Sequence, residues 1–141
     1  MDDKQRMAVR AYADGCNCAQ SVIAAYTEEL GLEEKEALRL MEAFGGGIAG
    51  MQEVCGAFSA ACAVMGYLNS DGSREGRTKK DTYAKIRRLA EVWKERYGSV
   101  RCFDIMHGQP PQHMKCGMKV RDGVKMVELF RKGAKELTLE D

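Results

Sequence analysis

Apolar side chains return every three or four residues along almost the whole of this chain, and no segment shows the strict alternation of a half-buried strand. That period confines the chain to packed helices. Asp3 to Ala13 reads as a first helix, closed by Asp14-Gly15. A second runs from Asn17 to Gly31, with Ala19, Val22, Ile23, Tyr26 and Leu30 on one stripe and Gly31 suited to end it. A third covers Glu33 to Phe44, turning Leu38, Met41 and Phe44 inward. From Thr78 to Tyr97 the spacing predicts a helix that buries Tyr83, Ile86, Ala90, Trp93 and Tyr97 and leaves its Lys and Arg residues in water. A last helix spans Cys116 to Leu137, with Val120, Val124, Val127, Phe130 and Ala134 inward and Gly123 and Gly133 weakening it. Ser99 to Met106 suits a short helix.

One segment differs in kind. Glu53 to Leu68 carries Cys55, Gly56, Ala57, Ser59, Ala60, Ala61, Cys62, Ala63 and Gly66, small side chains on several faces that let neighbouring backbones come close. It is the natural centre of a bundle. The glycine-rich run Gly45 to Gly50 before it cannot be helix interior. It lacks the Lys-Ser/Thr ending and the preceding strand of a phosphate loop, so it reads as a tight connection. The expected fold is therefore all-α, a single domain over residues 1–141 with about five or six helices around that small-residue helix.

Charge narrows the function. Lys plus Arg number 22 and Asp plus Glu 21, a balance that argues against nucleic acid as a partner. No apolar run is long enough to predict a membrane span. The polar start Met1 to Arg6 has no signal-peptide core, so the sequence predicts a reducing cytoplasm. Six cysteines stand out in such a setting, because structural disulfides are rare there and clustered thiols bind metal or do redox chemistry. Cys16 and Cys18 sit at the start of the second helix and Cys55 in the first turn of the small-residue helix. Helix starts offer free N–H groups and partial positive charge, both of which favour thiolate. Gly56 costs about 1 kcal/mol in a helix relative to Ala, which implies a close approach to that backbone. Cys102 and Cys116 lie either side of Pro110-Pro111. No CxxC spacing occurs, so any metal site must be assembled from distant segments. His107 and His113 flank the prolines; a loop histidine is more often simply exposed, and without CxxCH there is no covalent haem attachment.

Taken in order, Gly15-Cys16-Asn17-Cys18-Ala19-Gln20-Ser21-Val22, Phe44-Gly45-Gly46-Gly47-Ile48-Ala49-Gly50, Cys55-Gly56-Ala57-Phe58-Ser59-Ala60, Cys102 and Cys116 resemble the redox-active protein family named for its C, GCAxxG, C, C pattern. The resemblance covers essentially the whole chain. It places the family's four cysteines on Cys18, Cys55, Cys102 and Cys116, with Cys16 and Cys62 outside the pattern. One departure is Ala60, where the pattern closes on Gly. The family is similar in turn to a domain of split-Soret cytochromes, which implies an iron–sulfur cluster as cofactor but no haem for this chain.

Four readings follow. Cys18, Cys55, Cys102 and Cys116 converge to hold an iron–sulfur cluster; or they work without metal as thiol–disulfide pairs, such as Cys18 with Cys55 or Cys102 with Cys116. Both make the chain an electron-transfer or redox protein with an unidentified protein partner, and a homodimer is open to it. The third is a structural zinc site on the same cysteines in a binding module without turnover. The fourth is a helical interaction protein with inert buried thiols. In the redox readings Cys62 is a bystander beside Cys55.

Overall fold

A computed structural model describes residues 1–109, 116–133 and 138–139. The expected Pro110-Pro111 break, His113 and Ala134 lie outside the described residues. The chain is mostly helical, and among the described residues no strand forms, only an isolated antiparallel bridge between Val54 and Arg101. Helix α1 is Asp3–Ala13, opened by a reciprocal cap in which Asp2 accepts from the Gln5 amide and the Gln5 side chain accepts from the Asp2 amide. Helices α2 (Cys18–Ala24) and α3 (Thr27–Leu30) occupy the stretch expected to be one helix. The break has a local cause: the Ala25 and Tyr26 amides bond three residues back, to Val22 and Ile23, which tightens the turn and ends the α-helical ladder. The Tyr26 hydroxyl is drawn away to the Val124 carbonyl at 3.2 Å. Gly31 closes α3 in the left-handed conformation its position suggests.

Helix α4 (Glu34–Met41) passes into a 3-10 turn, Glu42–Phe44. Helix α5 (Gly56–Asn69) starts three residues later than its pattern suggests, because residues 53–55 are extended and bonded elsewhere. It buries Gly56, Ala57, Phe58, Ala60, Ala61, Val64 and Met65 and packs on α2 and α8, with lighter contact to α6. Helix α2 is equally enclosed, by α1, α4, α5 and α8. Helix α6 (Lys79–Tyr97) buries Leu89, Val92 and Trp93. Tyr83, expected inside, is 54 % exposed, because only the C-terminal half of α6 reaches the core. Trp93 is fully buried between Phe58 and Tyr97, with ring centroids 5.5 and 4.6 Å away.

Short α7 (Cys102–Ile105) precedes α8 (Gly117–Lys132), which ends at Gly133. Gly123, which weakens α8 as an isolated helix, has a packing reason. A Cβ there would stand 3.0 Å from Val22 Cγ2 and 3.1 Å from the Ala57 carbonyl oxygen, so the glycine lets α8 lie directly on α2 and α5. Asp122 beside it is fully buried, with Arg96 Nε at 2.7 Å, an Arg121 amine at 3.2 Å and the Tyr97 hydroxyl on its carboxylate. Among the described residues no helix is long and apolar enough to cross a membrane.

Candidate functional site

Each of the four pattern cysteines stands at a helix start. Cys18 is the first residue of α2, Cys55 precedes α5, Cys102 opens α7 and Cys116 precedes α8. They are 5, 3, 2 and 4 % exposed, respectively. Cys18 is held by its neighbour. Asn17 caps α2 by accepting from the Gln20 amide, and its own side-chain amide donates to the Glu42 carbonyl at 3.0 Å. That bond ties the start of α2 to the turn leading into the glycine run.

The glycine run is a left-handed turn. Gly46, Gly47, Ile48, Ala49 and Gly50 have φ of +64, +71, +63, +52 and +75° in succession. Only glycine adopts this conformation freely, so Ile48 and Ala49 are strained there. Long backward bonds close the turn, from the Ala49 amide to the Ala43 carbonyl and from the Glu53 amide to the Gly47 carbonyl, both at 2.8 Å. The turn delivers the Gly46 amide to the Cys18 sulfur. It also brings Gly47 against Cys102, where a Cβ would fall 2.8 Å from Cys102 Cβ.

Beyond the turn, two extended segments pair. The Cys55 amide donates to the Val100 carbonyl at 2.8 Å, the Cys102 amide to the Glu53 carbonyl at 2.6 Å and the Phe103 amide to the Gln52 carbonyl at 2.9 Å. This short ladder sets Cys102 beside Cys55. Gly56 completes the enclosure: a Cβ on it would stand 2.6 Å from Cys18 Sγ, so α5 begins in direct contact with the α2 thiol. The close approach implied by Gly56 in the sequence is thus to Cys18.

The thiols interact across these segments. The Cys116 thiol and the Gly46 and Ala19 amides act on the Cys18 sulfur in the sense that favours its charged form. These interactions hold Cys18 below the ordinary thiol range despite its burial. Cys116 is pushed the other way, because its proton is engaged by Cys18 and burial opposes its ionisation. Burial pushes Cys55 up to about 12, although the Phe58 and Ala57 amides donate to its sulfur. A helix start therefore does not suffice to ionise Cys55, whose desolvation outweighs two hydrogen bonds. Cys102 is raised by burial and by the charge of Cys18.

A profile described as Putative redox-active protein (C_GCAxxG_C_C) matches residues 16–130, most of the 141-residue chain. The chain belongs to this family. No curated protein and no solved structure gives a significant match.

The redox-active family's cysteines come here from four separate segments, and Cys18 acts electrostatically on Cys116, Cys55 and Cys102 alike. All six cysteines are free thiols. The four suit an iron–sulfur cluster by number and kind of donor. Among the described residues no three or more Cys, His, Asp or Glu side chains are placed to share one metal ion. Cys62 is half-buried against the core and is raised to about 12 by burial alone. Cys16 is raised by burial, Glu34 and Asp14. His107 is exposed.

Two neighbours carry no signal in the sequence pattern. Lys119, buried one turn into α8, lowers the cost of charge on both Cys102 and Cys116, and its ammonium lies 6.0 Å from the Tyr97 ring centroid. Tyr12, in the last turn of α1, accepts a hydrogen bond from the Cys116 amide at 3.2 Å. Lys119 has one usable clue, its i+3 spacing from Cys116, whereas Tyr12, although close before Cys18 in sequence, acts on Cys116.

Proposed function

We propose that this member of the redox-active family works through Cys18 and Cys116 as a dithiol/disulfide couple in a reducing cytoplasm, exchanging electrons with a protein partner. The observation that carries this reading is the pair of buried thiols at the starts of α2 and α8, Cys18 held below the ordinary thiol range by Cys116 and by the Gly46 and Ala19 amides. A readily ionised thiol paired with a second, protonated thiol is the reduced half of such a couple. On oxidation Cys18 and Cys116 lose two electrons and their remaining proton to an acceptor disulfide, and their sulfurs close to the roughly 2 Å of an S–S bond. Cys55 and Cys102 stay protonated beside them, as buried reserve thiols.

A second reading keeps the same four residues as ligands of an iron–sulfur cluster. It is supported by four buried thiols from four segments and by amides already aimed at the Cys18 and Cys55 sulfurs, the kind of bonds that tune such centres. When bound, the cluster would supply one-electron transfer.

Purification without oxygen separates the two. The dithiol reading expects colourless protein, free of iron and acid-labile sulfide, that forms a Cys18–Cys116 disulfide in oxidised glutathione and loses it in dithiothreitol. Brown protein with stoichiometric iron and sulfide would replace it with the cluster. Colourless protein whose thiols stay unpaired under oxidation would end both readings.

A further inference from the structure

Helix α5 is apolar on nearly every side, and a helix of that kind belongs in an interior. Its last turns nevertheless meet solvent on one side, where Ala63 and Tyr67 are exposed. An almost wholly apolar cleft of about 270 Å³ opens beside them. Buried Ile23 and Leu30 line it with Ala63, and the exposed Leu32, Leu40 and Tyr67 stand around it. Single apolar side chains on a surface need no explanation, but a group of them with a polar rim marks an interaction site. Here the rim is acidic. Glu33 follows Leu32, Glu36 lies one turn before Leu40 on α4, and both are exposed. From Glu28 to Glu42 the chain holds six glutamates against two cations, Lys35 and Arg39. The exposed Arg39–Glu36 pair at 3.3 Å leaves that balance acidic.

The matching surface is on the same chain. The N-terminal half of α6 stands clear of the core, and its Lys80, Tyr83, Ala84 and Arg87, at i, i+3, i+4 and i+7, form one exposed face. That face sets a tyrosine ring, 54 % exposed, between two cations. Tyrosine and arginine are residues that anchor protein interfaces. An apolar cavity of roughly 150 Å³ takes benzene, so the cleft has room for this ring. We propose that a second copy of the chain covers the cleft, inserting Tyr83 and setting Lys80 and Arg87 against Glu33 and Glu36. Two-fold symmetry makes this contact twice. Both of its halves flank the same end of α5. Ala63 and Tyr67 line the cleft, and Asn69, two residues beyond, donates to Asp81 at 3.1 Å and to Thr82 at 2.7 Å, both on α6. One partner therefore reaches both, which closes a dimer instead of propagating a chain. Charge fixes the orientation, because cleft against cleft would oppose glutamate to glutamate. None of these residues belongs to the four-cysteine site, so the dimer stands independently of that site's chemistry.

Sedimentation equilibrium of the full chain tests this, with the protein kept reduced so that no disulfide links the copies. Wild type should have twice the chain mass at micromolar concentration. Tyr83→Ala removes the inserted ring and should weaken association at least about 30-fold. Ala63→Arg puts a bulky charge in the cleft at an exposed position and should do the same, with the circular dichroism spectrum unchanged. Two double variants test the pairing. Glu33→Lys with Glu36→Lys makes both surfaces basic, and Lys80→Glu with Arg87→Glu makes both acidic. Each should be monomeric alone, and an equimolar mixture should restore a dimer of one copy of each, since both contacts then join opposite charges. A wild type that stays monomeric leaves the cleft to a different partner and overturns the proposal. So does a dimer that survives Tyr83→Ala and Ala63→Arg, or a pair of charge variants that fails to associate on mixing.

Discussion

Replacing Gly56 by Ala should destabilise the protein, although Ala is the better helix former. The added methyl would lie 2.6 Å from Cys18 Sγ, 2.7 Å from the Phe44 carbonyl oxygen and 3.4 Å from Ala19 Cβ. Favourable contact needs about 3.5–4.0 Å, so α5 must retreat from α2 by roughly 1 Å. Overpacking of this kind costs about 1–3 kcal/mol. The helix-propensity gain is at most about 1 kcal/mol and smaller at the first helical position. A net loss of about 1–2 kcal/mol is expected. Gly66 in the same helix supplies the control: a Cβ there meets nothing within 4 Å, so Gly66→Ala should gain up to about 1 kcal/mol. Urea unfolding of the two reduced variants should then differ by about 2–3 kcal/mol in opposite directions from wild type. If Gly56→Ala is as stable as Gly66→Ala, the contact between Gly56 and the Cys18 sulfur is not what requires glycine.

Other outcomes follow from the same structure. Cys55 is raised to about 12 in the folded chain against ~8.5 unfolded, so its contribution is fully present below the unfolded value and lost as pH rises toward the folded one. Reduced protein should lose about 1.4 kcal/mol per pH unit from this thiol above ~pH 9, and Cys55→Ala should flatten the alkaline limb of a Tm-against-pH curve; parallel curves would contradict it. Cys18 acts with the opposite sign: its folded value is lowered, so its contribution is present above the ordinary thiol range and lost as pH falls through the folded value. Trp93→Ala should cost about 3–5 kcal/mol in urea unfolding, and native emission should be blue-shifted and poorly quenched. Asp122→Ala should cost about 3–5 kcal/mol by leaving the Arg96 charge in a largely buried site, and a loss under ~1 kcal/mol would show that charge relocates to water.

Local signals carried the helices where local forces dominate. α1 matches its expected span because Asp2 and Gln5 encode its start, and α6 does so because its length and charge pattern agree. The break between α2 and α3 was not legible, since it depends on tightened bonds at Ala25 and Tyr26 beside a tyrosine tied to α8. Tyr83 was misplaced because periodicity identifies a face but not how far along it the core extends. The four cysteines were legible from their order and setting. The interaction of Cys18 with Cys116 was not: the two lie at opposite ends of the chain, and α8 reaches α2 through the close approach at Gly123. Tyr12 was hidden for the same reason, being an ordinary aromatic until α1 meets α8.

The turn from Gly46 to Gly50 has a consequence for chirality. Positive φ is the home region of D amino acids, so this stretch is a short mirror-image segment inside an L protein. Ile48 and Ala49, and Gln52 at +58°, are the places where the chain's handedness and its local geometry disagree. In a chemically synthesised chain, D-alanine would be the conforming residue at position 49 and L-alanine the strained one. The amide that reaches the Cys18 sulfur therefore comes from a backbone whose shape the other enantiomer would adopt without effort.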